Sequence, residues 1–226
     1  MRIVSVINYK GGVGKTTLTA NLGAELAFRG RKVLLLDLDP QASLTFSFVK
    51  PEYWQKNLAK NGTIKKWYES FGEQKPLDLA SIIFSPKSVI PSLGDASGGL
   101  DLIPSDLGLI NVDLDLATEL SAATPTQTRI KYLRVHKRLA AELAKSDFQG
   151  YDYVLIDCPP NFNIVTKTAI VASNSVLIPA KADYLSTLGI DYLRRSLDEL
   201  VADYNEYAQS CRAARTIKLS VHRSSA

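Results

Sequence analysis

Eight consecutive residues constrain the fold of this chain more than any other feature: Lys10-Gly11-Gly12-Val13-Gly14-Lys15-Thr16-Thr17. They follow a short apolar run at residues 3–7. They precede a segment, residues 14–29, in which Leu18, Leu22 and Leu26 recur at helical spacing and Gly30 stands where a helix would end. A glycine-rich turn between a buried strand and a helix is where a phosphate loop forms. Its glycines let the backbone curl so that successive N–H groups converge, and the positive end of the helix adds to the anion site. On this reading Gly11, Gly12, Val13 and Gly14 cradle phosphates. Lys15 reaches the β- and γ-phosphates, the Thr16 hydroxyl ligates Mg2+ directly, and Thr17 contacts the α-phosphate.

The rest of the chain alternates short apolar runs with helical patterns, which predicts an α/β fold: a mostly parallel, doubly wound sheet flanked by helices. Strands are expected at residues 33–36, 100–103, 153–156 and 175–179, with a last short one at 217–221. Runs that are apolar at every position belong to strands covered on both faces. Helices are expected at residues 126–145, with Ile130, Leu133, Leu139 and Leu143 facing inward, and at 164–172 and 187–209. The basic, aromatic stretch from Trp54 to Trp67 reads as two short helices, and residues 85–99, rich in Pro and Gly, as a loop. The 226 residues, 46% of them hydrophobic, suit a single domain over 1–226. That domain carries a helical and loop insertion around 42–99 and a short, basic segment around 208–226.

Several classes are excluded early. Two cysteines, Cys158 and Cys211, are too few for a disulfide scaffold, and two distant histidines, His136 and His222, do not make a zinc site. No apolar stretch is long enough to cross a membrane and no leader pattern is present, so the expected location is the cytoplasm. Against 23 acidic residues stand 27 basic ones, a net charge of +4 that permits an anionic partner without demanding one.

Carboxylates at neighbouring strand ends suit Mg2+, which keeps several of its waters. Asp157 closes the apolar run Tyr153-Val154-Leu155-Ile156 in the manner of a Walker B strand, and Asp37 and Asp39 follow the run 33–36. The strict phosphate-loop pattern fails at one place, because Tyr9 stands where its first glycine belongs, and an extra lysine, Lys10, opens the loop. Together with Asp37-Leu38-Asp39-Pro40-Gln41 and Asp157-Cys158-Pro159-Pro160, this resembles the deviant Walker A family that includes the partition ATPases (ParA), the division-site ATPase (MinD) and nitrogenase iron protein. The resemblance covers residues 1 to about 200 and is strongest to the partition type. It implies that Asp37 and Asp157 hold magnesium through water, that Asp39 orients the attacking water, and that Lys10 touches the partner's nucleotide across an ATP-sandwich homodimer. The residues alone leave Lys10 open as a solvated lysine. Cys158 could be a cluster ligand as in the nitrogenase protein, but a small buried thiol fits its context better.

The implied activity is a Mg2+-dependent, intrinsically weak ATP hydrolase that dimerises on ATP and binds DNA non-specifically. A centromere-binding (ParB-like) or cargo-adaptor protein then releases it by stimulating hydrolysis, so the ATP-bound form is expected on the nucleoid. Because the first strand begins the chain, no DNA-reading helix-turn-helix domain is expected before it. Arg194, Arg195, Arg212, Arg215, Lys218 and Arg223 are the candidate DNA contacts, and a solvated charged tail is the competing account of them. A membrane-positioning ATPase is the alternative, disfavoured because residues 216–226 are too short and polar for an amphipathic anchor. A metabolic ligase or reductase lacks further catalytic groups. A nucleotide-gated binding module with negligible turnover stays open.

Overall fold

In a computed structural model the chain is described over residues 1–60, 62–86, 98–121, 124–181, 183–211 and 216–224, with backbone alone for 184–188, 211 and 221–224. Six strands form one sheet in which every pairing is parallel: β1 (Arg2–Val6), β2 (Lys32–Asp37), β3 (Gly99–Ile103), β4 (Tyr153–Asp157), β5 (Ser175–Pro179) and β6 (Ser220–Ser224). Their spatial order is β3-β2-β4-β1-β5-β6. The chain therefore starts in the middle of the sheet, winds out to one edge and returns to build the other. In such sheets the crevice where the winding reverses, at the carboxyl ends of the strands, is where ligands bind. The expected last strand forms, but at Ser220–Ser224 rather than 217–221.

Eight α-helical segments are described: α1 (Lys15–Phe28), α2 (Ser43–Phe48), α3 (Pro51–Tyr53, continuing as a π turn over Trp54–Leu58), α4 (Ile64–Glu69), α5 (Leu109–Leu120), α6 (Pro125–Leu143), α7 (Ile164–Ala172) and α8 (Tyr184–Cys211). Successive strand residues point to opposite faces, so Leu34, Leu36, Val154 and Ile156 pack under α4–α8, while Val33, Leu35, Leu100, Leu102 and Leu155 pack under α1 and α2. With both faces covered, the interiors of β2, β4 and β5 read as unbroken apolar runs. Pro125 at the first position of α6 and the Thr124 hydroxyl, which accepts a hydrogen bond from Gln127 N at 3.3 Å, start that helix.

Three local expectations are corrected. Ile130 does not face inward: it is 54% exposed, because residues 125–130 of α6 are exposed throughout, whereas Leu133, Leu139 and Leu143 are buried as expected. The stretch 54–67 holds a π turn and α4 rather than two plain helices. Helix α5 was not expected at all; it buries Leu109, Val112 and Leu116 and leaves Leu107, just before it, Ile110 and Leu114 on the surface. Most of the expected 85–99 loop lies outside the described residues.

Candidate functional site

The loop leaves β1 at the centre of the sheet and is tied down before it turns. Buried Asn8 donates from Nδ2 to the Pro179 carbonyl at 2.8 Å and accepts the Lys10 N–H at 2.9 Å, joining the loop to the end of β5. Tyr9, in the place of the usual glycine, donates its hydroxyl to Ser196 Oγ at 3.0 Å and packs its ring on Phe162 and Tyr192, so it anchors the loop to α8. Gly12 and Gly14 take φ of 69° and 88°, the left-handed region that a side chain disfavours. A Cβ placed on Gly11, Gly12 or Gly14 would meet nothing within 4 Å, so the concave side of the loop is open. Gly14 caps α1 without a side-chain hydrogen bond, which leaves the first N–H groups of that helix available to an anion.

Lys15 is 7% exposed and folds back with Nζ 3.4 Å from the Lys10 carbonyl. Burial lowers its pKa, opposed by Asp157 and Asp39. Thr16 donates its hydroxyl to Asp157 Oδ2 at 2.7 Å. Strand register supplies the other carboxylate, since Asp157 pairs with Val6 on one side and with Asp37 on the other. Asp157 is buried and its Oδ1 has no hydrogen-bond partner; burial, with Asp39 adding, pushes its pKa up to about 6 against Thr16 and Lys15. Asp37 is fully buried and pushed up to about 7, by burial first, with Asp157 adding, against hydrogen bonds from Thr45 and Asp39.

These features fit a divalent cation and a polyphosphate: an orphaned buried carboxylate oxygen, a hydroxyl beside it, and an open backbone cradle with a buried lysine. Among the described residues no group of three His, Cys, Asp or Glu side chains could chelate a metal by itself. That suits Mg2+, which keeps several of its waters and takes few ligands from side chains.

Asp39 is half-buried beyond the end of β2, its Oδ1 accepting Gln41 N at 2.9 Å. Sequence reasoning missed what holds this segment. The Asp37 Oδ2 accepts both Thr45 N (2.8 Å) and Thr45 Oγ1 (2.7 Å), and Ser105, just past β3, donates its hydroxyl to the Asp39 carbonyl at 2.7 Å. Lone hydroxyl residues carry no motif, so only the β2–β3 register could have pointed to them.

Lys10 extends to Asp183, Nζ to Oδ2 2.7 Å, with the two side chains 38% and 41% exposed. Cys158 is buried and its thiol pKa is pushed up by burial, the behaviour of an inert thiol. Arg194 and Arg195 are exposed on α8, beside the equally exposed Asp191, Asp198 and Glu199; Lys218 is exposed before β6. Arg212 and Arg215 lie outside the described residues, and Arg223 is described by its backbone alone. No helix among the described residues is long and apolar enough to cross a membrane.

Fold and loop together define a P-loop nucleotide-binding protein. The sequence model of the AAA domain family (AAA_31) matches residues 1–209. Similar proteins include the chromosome partitioning protein ParA of Caulobacter vibrioides, 30% identical over 205 residues that make up 91% of this chain and 65% of that protein. The sporulation initiation inhibitor protein Soj of Bacillus subtilis is 34% identical over 192 residues, 85% of this chain and 63% of Soj. The chain thus spans just under two-thirds of the length of these relatives. Among solved structures, a plasmid partition protein from Borrelia burgdorferi superposes with a TM-score of 0.67 at 25% identity, covering 98% of this chain and 77% of that one. Cobyrinic acid a,c-diamide synthase from Mycobacterium smegmatis, with bound ATP analog and magnesium, gives 0.66 at 26% identity, covering 98% and 72%. The chain belongs to the AAA domain family, and its deviant Walker A loop and most of its length are similar to ParA and Soj.

Proposed function

We propose that this chain is a single-domain partition or positioning ATPase that dimerises on ATP, binds DNA non-specifically in that state and is released when a partner protein stimulates hydrolysis. The observation that carries the reading is Thr16 Oγ1 at 2.7 Å from Asp157 Oδ2, beside buried Lys15 and an open backbone loop. The N–H groups of residues 11–17 and Lys15 bind the phosphates, and Thr16, Asp37 and Asp157 hold the cation. Magnesium, when bound, neutralises charge on the phosphate oxygens. Asp39 accepts a hydrogen bond from the attacking water and orients it, which is most of what phosphoryl transfer asks of a side chain.

Lys10 supports the dimer. Its ion pair with Asp183 is more than a third exposed on both sides and so contributes only about 0.2–1 kcal/mol. A charge-assisted contact with a nucleotide phosphate in a second protomer, about 1.5–3 kcal/mol, outcompetes it. Exposed Leu107, Ile110 and Leu114 form an apolar stripe that starts two residues after Ser105, beside the Asp39 segment, and supports association on this side of the sheet. The DNA contacts assigned are Arg194, Arg195, Arg212, Arg215, Lys218 and Arg223. The partner is a ParB-like centromere-binding or cargo-adaptor protein, and the ATP state resides on the nucleoid within the cytoplasm.

The test is binding to non-specific duplex DNA with ATP, ADP or no nucleotide at two salt concentrations, alongside phosphate release. Binding that requires ATP and weakens steeply with salt is expected. Absence of binding in every nucleotide state removes DNA from the reading, and absence of ATP hydrolysis removes the enzyme.

A further inference from the structure

We propose that Ser105 is a positioning residue for hydrolysis, holding the backbone that aims Asp39. The inference rests on the ATPase reading of the site and adds to it a residue from the far edge of the sheet.

Ser105 is fully buried and uses all three of its polar groups. Its hydroxyl donates to the Asp39 carbonyl at 2.7 Å, its N–H donates to Thr45 Oγ1 at 2.8 Å, and its carbonyl accepts Trp54 Nε1 at 3.1 Å. Thr45 Oγ1 in turn donates a hydrogen bond to Asp37 Oδ2 at 2.7 Å. One residue therefore grips the 37–45 segment directly at Asp39 and at Thr45, and reaches Asp37 through Thr45. Between those grips Ala42 sits at φ 52°, the one non-glycine residue with positive φ among those described. Its N–H also binds the Asp39 carbonyl, at 2.9 Å. A left-handed alanine is disfavoured and persists where its surroundings over-determine it.

The grip is itself rigid. Ser105 follows β3, whose Leu102 pairs with Phe84 in an isolated bridge, while the Pro104 carbonyl accepts Ile64 N at 2.9 Å. The segments between β2 and β3 thus fix Ser105, and Ser105 fixes the Asp39 backbone. The Asp39 side chain bonds only to the N–H of Gln41, two residues on, in the hydrogen bonds described here, so its aim depends on that backbone. Misplacing a catalytic group by about 1 Å costs on the order of a hundredfold in rate.

The experiment compares the full chain with Ser105→Ala, reading kcat, KM for Mg-ATP, ADP affinity and, without ligand, amide hydrogen exchange over residues 38–45. The expected result is a kcat lower by about tenfold to a hundredfold, with KM and ADP affinity within about twofold and faster exchange confined to that segment. A kcat within about twofold of wild type, or a parallel loss of kcat, nucleotide affinity and melting temperature, overturns the proposal. Exchange in the wild-type chain is a second measurement: the Thr45 and Ser105 amides should be protected to the same degree as those of β2, and rapid exchange at either overturns it. Absence of hydrolysis by the wild-type chain would sink the ATPase reading, while the exchange comparison would still decide whether Ser105 holds the segment.

Discussion

Asp37 should destabilise the ligand-free chain, and Asp37→Asn measures by how much. The carboxyl is fully buried and its pKa rises from 3.8 to about 7, by burial first. At about 1.4 kcal/mol for each pKa unit, that corresponds to roughly 4 kcal/mol between the protonated and ionised folded forms. The sign follows from proton counting. A carboxyl whose folded pKa is raised binds more protons folded than unfolded, so its stabilising share is fully present below 3.8 and is lost as pH rises through about 7. Asparagine keeps an acceptor for Thr45 but turns an N–H toward the Asp39 N–H now bonded at 3.2 Å, a pH-independent cost of about 1 kcal/mol. Urea unfolding of both proteins in EDTA, at about pH 5 and about pH 8.5, isolates the titrating part. Between those values wild type should lose roughly 2–3 kcal/mol relative to Asp37→Asn. Asp157 titrates in both proteins, so the subtraction leaves Asp37 together with its coupling to Asp157. A difference that stays constant with pH would refute the reasoning, because it would mean that Asp37 is solvated or paired with a cation of its own. Magnesium nucleotide should then stabilise wild type far more than the variant, in proportion to its tighter binding.

Lys15→Ala should abolish productive ATP binding or turnover, read by fluorescent-nucleotide titration and phosphate release; normal activity would contradict the phosphate-loop assignment. Lys10→Ala should change unfolding stability by under about 1 kcal/mol, since its ion pair is half-exposed. It should leave nucleotide binding by the monomer intact and remove the ATP dimer from light scattering, and an intact, fully active dimer would show that the interface role does not transfer. His136 is buried, stacked on Tyr132 at 4.0 Å, and its pKa is lowered to about 4 by burial, with Lys167 adding and its hydrogen bond to the Tyr132 carbonyl opposing. A lowered folded pKa makes its stabilising share complete above 6.5 and lost toward about 4. Wild type should therefore lose about 2 kcal/mol relative to His136→Phe between about pH 7.5 and about pH 5, and equal pH profiles would place water or a carboxylate against the ring.

How much of this was legible in the sequence depends on the range over which each feature is decided. β5 and α7 fall at the residues expected, and β4 extends the expected strand only to Asp157, because a strand covered on both faces and a helix with an apolar stripe announce themselves within a few residues. α5 did not announce itself: Val112-Asp113-Leu114-Asp115-Leu116 alternates like a strand, and only packing against α4, α6 and α7 selects the helical face of Leu109, Val112 and Leu116. Ile130 fits the apolar spacing of α6 yet is exposed, since a pattern on one helix does not tell where its neighbours end.

The site divides in the same way. The residues of the loop are contiguous and their chemistry is local, so residues 10–17 could be read directly. The pairing of carboxylates is not local: Asp37 and Asp157 meet because β4 lies between β2 and β1, an order that no single segment encodes. Each strand end was visible as an apolar run stopped by an aspartate, and the right-handed winding of a parallel sheet brings such ends to one edge. Ser105 is one step further removed. β3 is an edge strand whose Ile103 pairs with Leu36, so the residues just past the two strands, Ser105 and Leu38 to Asp39, are side by side only in that register. A shift of one residue would turn the hydrophobic set of β3 from one face to the other, burying the wrong side chains. The core that fixes the register therefore also fixes the hydrogen bond from Ser105 to Asp39, and the aim of that carboxylate is inherited from the packing of Leu100 and Leu102 on one face and Ile103 on the other.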